Sequence, residues 1–236
     1  MTLEKDLWYN NVGFYNNPFS IKPAAFHDEI VGNEEELKKI NENISTGAVC
    51  LVTGSYGTGK TTILKRIIHQ FKGKKRVIYF SCNRKDKELN FNKFLIEKSF
   101  FHKLFKVRAK NMILLLDEIQ DLSKHESDEL VKLYEQKFIF SIVLVSKNEK
   151  RLSFSPKLKK LIGKNIYELR KLSPQTTIQF VRKRIGSSKI LSDVIIKRIS
   201  KLNSNPRAIL ENCEDACLIA MNEGSSKVQL KHLKKI

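Results

Sequence analysis

Residues 54–61 read GSYGTGKT and satisfy G-x-x-x-x-G-K-[ST] at every specified position. Gly54, Gly57 and Gly59 let a backbone turn tightly enough for its N–H groups to converge on phosphate oxygens. Ser55, Tyr56 and Thr58 fill the loop between them. A helix opening near Lys60 points its positive end at the same anion. Lys60 then reaches β- and γ-phosphates, the Thr61 hydroxyl completes a Mg²⁺ shell, and Thr62 adds an α-phosphate contact. The second group of interest is MILLLDEIQDLS (112–123). Its apolar run delivers Asp117 to hold Mg²⁺, and Glu118 to orient and polarise an attacking water. An Asp-Glu pair at a strand end is the pattern of hydrolytic phosphate-loop machines. The competing reading makes both acids caps of the next helix, and Asp121 is expected only to start that helix.

These residues need a scaffold, and the chain alternates to supply one. Apolar runs at 48–53, 76–81, 112–117 and 138–146 read as buried strands, with NIYEL (165–169) a weaker fifth. Helical patterns lie between them. The clearest is KTTILKRIIHQF, where Ile63, Leu64, Ile67, Ile68 and Phe71 form one stripe before Gly73. Strands apolar on both faces and separated by helices predict an α/β fold, a parallel sheet sandwiched by helices.

At Ser173 the pattern changes. Ser173-Pro174, Ser192 and Asn205-Pro206 each begin a helical stretch, and Gly186 and Gly224 end two of them. The expected organisation is an N-terminal arm at 1–32, an α/β core at 33–172 and an all-helical lid at 173–236, with the nucleotide bound between core and lid. The arm, LWYNNVGFYNNPFSIKP, is aromatic and rich in Asn and Pro.

Composition narrows the class. Hydrophobic residues make up 41% and no apolar run approaches the roughly 20 needed to cross a bilayer. The start, MTLEKDLWYNN, carries acids and no hydrophobic block, so cytoplasmic placement without membrane insertion is the expectation. Cys50, Cys82, Cys213 and Cys217 read as buried structural thiols; the i, i+4 pair Cys213/Cys217 lacks a second ligand pair for a metal. Net charge is +19, unevenly spread: residues 146–236 carry 21 Lys+Arg against 7 acids. That asymmetry points the C-terminal third at a polyanion, nucleic acid foremost, with a solvated basic surface as the alternative. The clusters are Lys157, Lys159, Lys160 and Lys164; Arg182, Lys183 and Arg184; and Lys231, Lys234 and Lys235. None is interleaved with aromatic residues, which favours backbone contact with duplex over stacking of single strands.

GSYGTGKTT, LLLDEIQDLS and NPRAIL together resemble the AAA+ ATPases over nearly the whole chain. The resemblance implies ATP with Mg²⁺, a sensor arginine at Arg207 touching the γ-phosphate, and a polar sensor at the end of the fourth strand, either Asn148 or Ser146. NNPFSIKP with IVGNEEELKKI resembles the opening of archaeal Orc/Cdc-type initiators and makes Val31 a candidate adenine-pocket residue. The same opening, with LRKLSPQTTIQFVRKRI, resembles ExeA-like and TniB-type transposition ATPases. Both groups imply oligomers, of like or related subunits, and duplex DNA as partner. Orc/Cdc-type initiators continue into a winged helix, which does not follow here, so the expectation is a minimal relative or one subunit of a larger machine. Where a finger arginine is expected before the fifth strand there are only lysines, notably Lys160 and Lys164; a lysine lacks the bidentate fork, which points to slow hydrolysis. Two rivals remain: a nucleotide switch that assembles a protein complex in secretion, defence or signalling, and a module that holds ATP structurally.

Overall fold

The computed structural model describes residues 8–22, 30–73, 75–82, 91, 111–149 and 152–236. Residues 1–7 and 23–29 of the expected arm lie outside them. The chain forms two compact units: Glu34–Tyr56 with Ile63–Leu169, and Met1–Asn33 with Gly57–Thr62 and Arg170–Ile236. The described residues of the arm, 8–22 and 30–32, therefore group with the C-terminal helices, and the first unit ends three residues before the expected boundary.

The first unit is built on five strands: β1 (Val49–Thr53), β2 (Val77–Ser81), β3 (Met112–Asp117), β4 (Ile139–Val145) and β5 (Ile166–Glu168). They pair in parallel in the order β2-β3-β4-β1-β5, and helices flank the sheet. Val49, Leu51, Leu114, Leu116, Ile142 and Leu144 share one core with Leu130, Val131 and Leu158. The residues of opposite parity, Cys50, Val52, Ile113, Leu115, Val143 and Val145, are buried as well. A strand that buries both faces must be almost wholly apolar, which is why these runs could be read without alternation. Helix α1 (Glu34–Thr46) opens on three glutamates, matching the helix dipole. Helix α2 (Lys60–Phe71) buries Ile63, Leu64, Ile67 and Phe71. Helix α3 (Lys124–Glu135) and the short α4 (Pro156–Ile162) complete the described helices of this unit.

The second unit contains α5 (Pro174–Ile185), α6 (Asp193–Leu202), α7 (Pro206–Asn222) and α8 (Leu230–Leu233). Ser173, Ser192 and Asn205 cap the first three through their side chains, so the sequence signals act as read. Their core contains Phe180, Val181, Ile196, Ile199, Ile209, Cys213 and Cys217 together with Trp8, Phe19 and Val31. Trp8 stacks on Phe19 with ring centroids 5.9 Å apart and planes 9° from parallel. Glu214 ties the segment down by accepting from Asn17 Nδ2 at 2.6 Å and Trp8 Nε1 at 3.4 Å. The described arm is thus anchored on the helical unit by Trp8 and Phe19, while Tyr15 and Ile21 remain exposed.

Burial accounts for the thiols. It pushes Cys50 up to about 12 and raises Cys213 and Cys217, keeping all three protonated. All four cysteines are free and buried, and no cluster of three or more metal-ligating residues occurs among the described residues. No described helix is long and apolar enough to cross a membrane.

Candidate functional site

In parallel strands the carboxyl ends share one edge, and ligands of open α/β sheets bind there. Leu144 of β4 is level with Leu51 of β1 and with Leu116 of β3. Gly54, Asp117 and Ser146, which follow these residues closely in the chain, therefore come to the same edge of the sheet. The glycine-rich stretch follows β1 directly and opens α2 at Lys60, the order that anion binding at a helix N-terminus requires.

Gly57 and Gly59 take the left-handed conformation, with φ of 80° and 95°. At Gly57 the requirement is also steric. An added Cβ would meet Asn205 Oδ1 and the Cβ of Arg207, whose N–H donates to the Gly57 carbonyl at 3.3 Å. The cap of α7 thereby packs on Gly57, which groups with the helical unit. Arg207 Nε also donates to Glu211 Oε1 at 3.0 Å. Thr58 is buried, and Tyr56 is exposed with Lys147 Nζ 5.9 Å from its ring centroid.

Asp117 is 3% exposed. Its Oδ1 accepts from the Glu118 N–H at 3.0 Å and its Oδ2 from the Tyr79 hydroxyl at 3.3 Å. Tyr79 is pushed up to about 12, by burial first and then by the Asp117 charge and hydrogen bond, so it is a donor at ordinary pH. Glu118 adopts φ 57°, ψ 48°, and its Oε2 accepts from Ser81 Oγ at 3.2 Å. The capping alternative for this pair fails for α3: Ser123 caps it in a reciprocal box with Glu126. Asp121 lies in the one-turn 3₁₀ segment Ile119–Asp121.

Of the two sensor candidates, Ser146 is buried directly after β4 and donates its N–H to Val52 O at 3.0 Å. Asn148 is exposed, with its N–H donating to Ser146 Oγ at 3.4 Å. Val31 is 7% exposed within the helical core. Beside it, a Cβ on Gly32 would press on Leu172 and Thr176.

The donor set suits a magnesium nucleotide. The residue types are those such a ligand needs: glycines in the left-handed conformation before a helix start, a lysine at its first position, and at Thr61 and Asp117 hydroxyl and carboxylate oxygens of the hard kind that Mg²⁺ prefers. Sequence reasoning missed Tyr79 and Ser81. The signal was two polar-tipped residues at i and i+2 near the end of a predicted strand, a spacing that puts them on one face.

The basic clusters divide. Lys157, Lys159, Lys160 and Lys164 are exposed. Arg182 is used internally: Nε donates to Asp193 Oδ1 at 2.7 Å, Nη1 to Ser188 O at 3.0 Å and Nη2 to Leu191 O at 2.8 Å. Arg184 donates to the carbonyls of Pro18 and Ser20 and lies over the Phe180 ring. Lys231 and Lys235 pair with Glu223 at 3.1 and 2.6 Å. Among the described residues, Lys183 and Lys234 of these two groups are exposed without a partner of this kind.

A family model described as AAA domain matches residues 46–174. General secretion pathway protein A of Aeromonas hydrophila is 26% identical over 92% of this chain, which spans only 45% of that relative's length. Among solved structures, Cdc6p from Pyrobaculum aerophilum matches 92% of this chain and 69% of its own at TM-score 0.70 and 15% identity. Aeropyrum pernix ORC1, solved in complex with DNA, matches 93% and 68% at TM-score 0.70 and 16% identity. The Thermotoga maritima RuvB Holliday junction branch migration motor matches 91% and 71% at TM-score 0.65 and 19% identity. At such identities the structures speak for the fold, whereas the family match covers more than half of the sequence. The chain belongs to the AAA domain family, the AAA+ ATPases.

Proposed function

We propose that this protein binds ATP with Mg²⁺ at residues 54–62, hydrolyses it slowly, and uses nucleotide state to control assembly on duplex DNA. The observation that carries the nucleotide half is the pairing of a complete GSYGTGKT loop after β1 with Asp117-Glu118 at the same edge of the sheet. Lys60 and the loop N–H groups bind the β- and γ-phosphates, with Thr62 on the α-phosphate. Thr61 and Asp117 hold Mg²⁺, which when bound neutralises phosphate charge. Glu118 orients and deprotonates water for in-line attack on the γ-phosphorus. Arg207 and either Ser146 or Asn148 report the γ-phosphate, and Val31 borders the adenine. The proposed organisation keeps residues 33–172 as core, 173–236 as lid and 1–32 as arm.

The DNA half is supported by the charge excess of residues 146–236 and the exposed lysines of α4. Like subunits are the proposed assembly partners. A second reading, nucleotide-controlled assembly of a protein complex without DNA, draws support from the relative named for general secretion and from the arginines and lysines already committed to internal partners. Anisotropy of a labelled duplex at about 150 mM salt, with ATP, with ADP and without nucleotide, separates the two. Tighter binding with ATP is expected; equal, weak binding in all three would leave the protein-complex reading standing.

A further inference from the structure

Tyr79 lies on β2 at the edge of the described sheet, away from both the phosphate loop and the Asp-Glu pair in sequence. Ser81 is level with Asp117 and Tyr79 with Leu115, so Tyr79 is the diagonal neighbour of Asp117 on the adjacent strand. Two residues of rise along the strand and one inter-strand spacing put the backbones roughly 8 Å apart, a span that a tyrosine covers and a short side chain does not. The hydroxyl accordingly donates to Asp117 Oδ2 at 3.3 Å, while Glu118 N–H holds Oδ1 at 3.0 Å. With the Tyr79 hydroxyl on one oxygen and the Glu118 N–H on the other, the carboxylate of Asp117 is held from two directions. The ring is itself held: Lys65 Nζ stands 4.5 Å from its centroid, from the second turn of the helix that Lys60 opens. Lys65, Tyr79 and Asp117 form a relay of contacts from α2 through β2 to the end of β3.

We propose that Tyr79 is a positioning residue for the divalent cation, setting the orientation in which Asp117 meets the metal or its water shell, and that Lys65 positions Tyr79 in turn. This rests on the reading of Asp117 as a Mg²⁺ ligand. A group that only orients a ligand should alter metal dependence while leaving metal-free nucleotide binding alone. Loss of such an outer partner typically costs 10–100-fold in metal affinity.

The test is anisotropy of a fluorescent ATP analogue, measured in EDTA and across a Mg²⁺ titration, for the parent, Y79F, K65M and D117N. Y79F removes one oxygen and keeps the ring, so it should fold; a thermal melt checks this. The Mg²⁺ midpoint of Y79F should rise about tenfold with unchanged affinity in EDTA. K65M keeps the hydroxyl and should shift the midpoint about two- to threefold. In turnover, saturating Mg²⁺ should restore Y79F towards the parental rate. The proposal is overturned if D117N raises the midpoint while Y79F and K65M do not. It is also overturned if Y79F weakens binding equally with and without Mg²⁺, since that marks a general structural role. An unchanged midpoint in D117N itself would instead sink the Mg²⁺ reading of Asp117.

Discussion

Glu118 takes a left-handed backbone conformation, φ 57° and ψ 48°, that few glutamates adopt. Such a conformation costs on the order of 1–3 kcal/mol and persists only where the surroundings impose it. Here the N–H that it presents is fixed on Asp117 Oδ1, and its carboxylate receives the Ser81 hydroxyl. The side chain is therefore placed by a hydrogen bond that can be exchanged without disturbing the strand. Glu118→Gln keeps that shape and removes the proton acceptor. Turnover should fall by about 10²–10⁴-fold with ATP affinity within about twofold of the parent. Equal turnover in parent and variant, measured as phosphate release, would remove any catalytic role for Glu118. Ser81→Ala should cost less than about tenfold in rate, because it frees the carboxylate but leaves it present.

At the scale of elements, the short helix α8 is tied to the end of α7 through a single carboxylate. Glu223, just past the end of α7, receives Lys235 at 2.6 Å and Lys231 at 3.1 Å. The buried His232 brings Nε2 to 3.3 Å from the same carboxylate, and its Nδ1 accepts from Gln229 N–H at 2.9 Å. Hydrogen bonds from Lys235 first and Lys231 second hold the Glu223 carboxyl down from 4.5 to about 2. The sign follows from proton binding: between these values the unfolded chain binds the proton more readily, so acid favours release. The contribution of Glu223 is complete above about pH 4.5 and lost as pH falls towards 2. Protection of Leu230–Leu233 against hydrogen exchange, taken relative to the intrinsic amide rate at each pH, should fall over that window in the parent. Glu223→Gln should exchange faster at neutral pH and show no such step. A parental profile flat from pH 5 to 2 would contradict the assignment.

For the whole molecule, what could be read from the sequence followed contact range. The phosphate loop, the strand before it and the helix after it are contiguous, and so are the caps at Ser173, Ser192 and Asn205, each acting within three residues. Trp8 and Asn17 meet Glu214 across 206 and 197 residues, and nothing local told which unit the aromatic arm packs on. Tyr79 and Asp117 meet through strand register, which pattern alone does not supply. Charge counting could not divide the cations for the same reason, since it says nothing of their partners. Arg182 bridges α5 to Asp193 and two turn carbonyls, so its guanidinium contributes to the fold, and Arg184 does the same for the arm. The duplex reading then places its phosphate contacts on cations left in water, and α4 offers Lys157, Lys159 and Lys160 within four residues. Each neutralised phosphate contributes about 0.9 to the slope of log affinity against log salt, so replacing all three by alanine should flatten it by up to about 2.7. Arg182→Ala should leave the slope unchanged and lower the melting midpoint, since it strands two carbonyls and Asp193. If Arg182→Ala flattened the slope as much as the triple lysine variant while melting normally, that division between structural and polyanion-facing cations would be wrong.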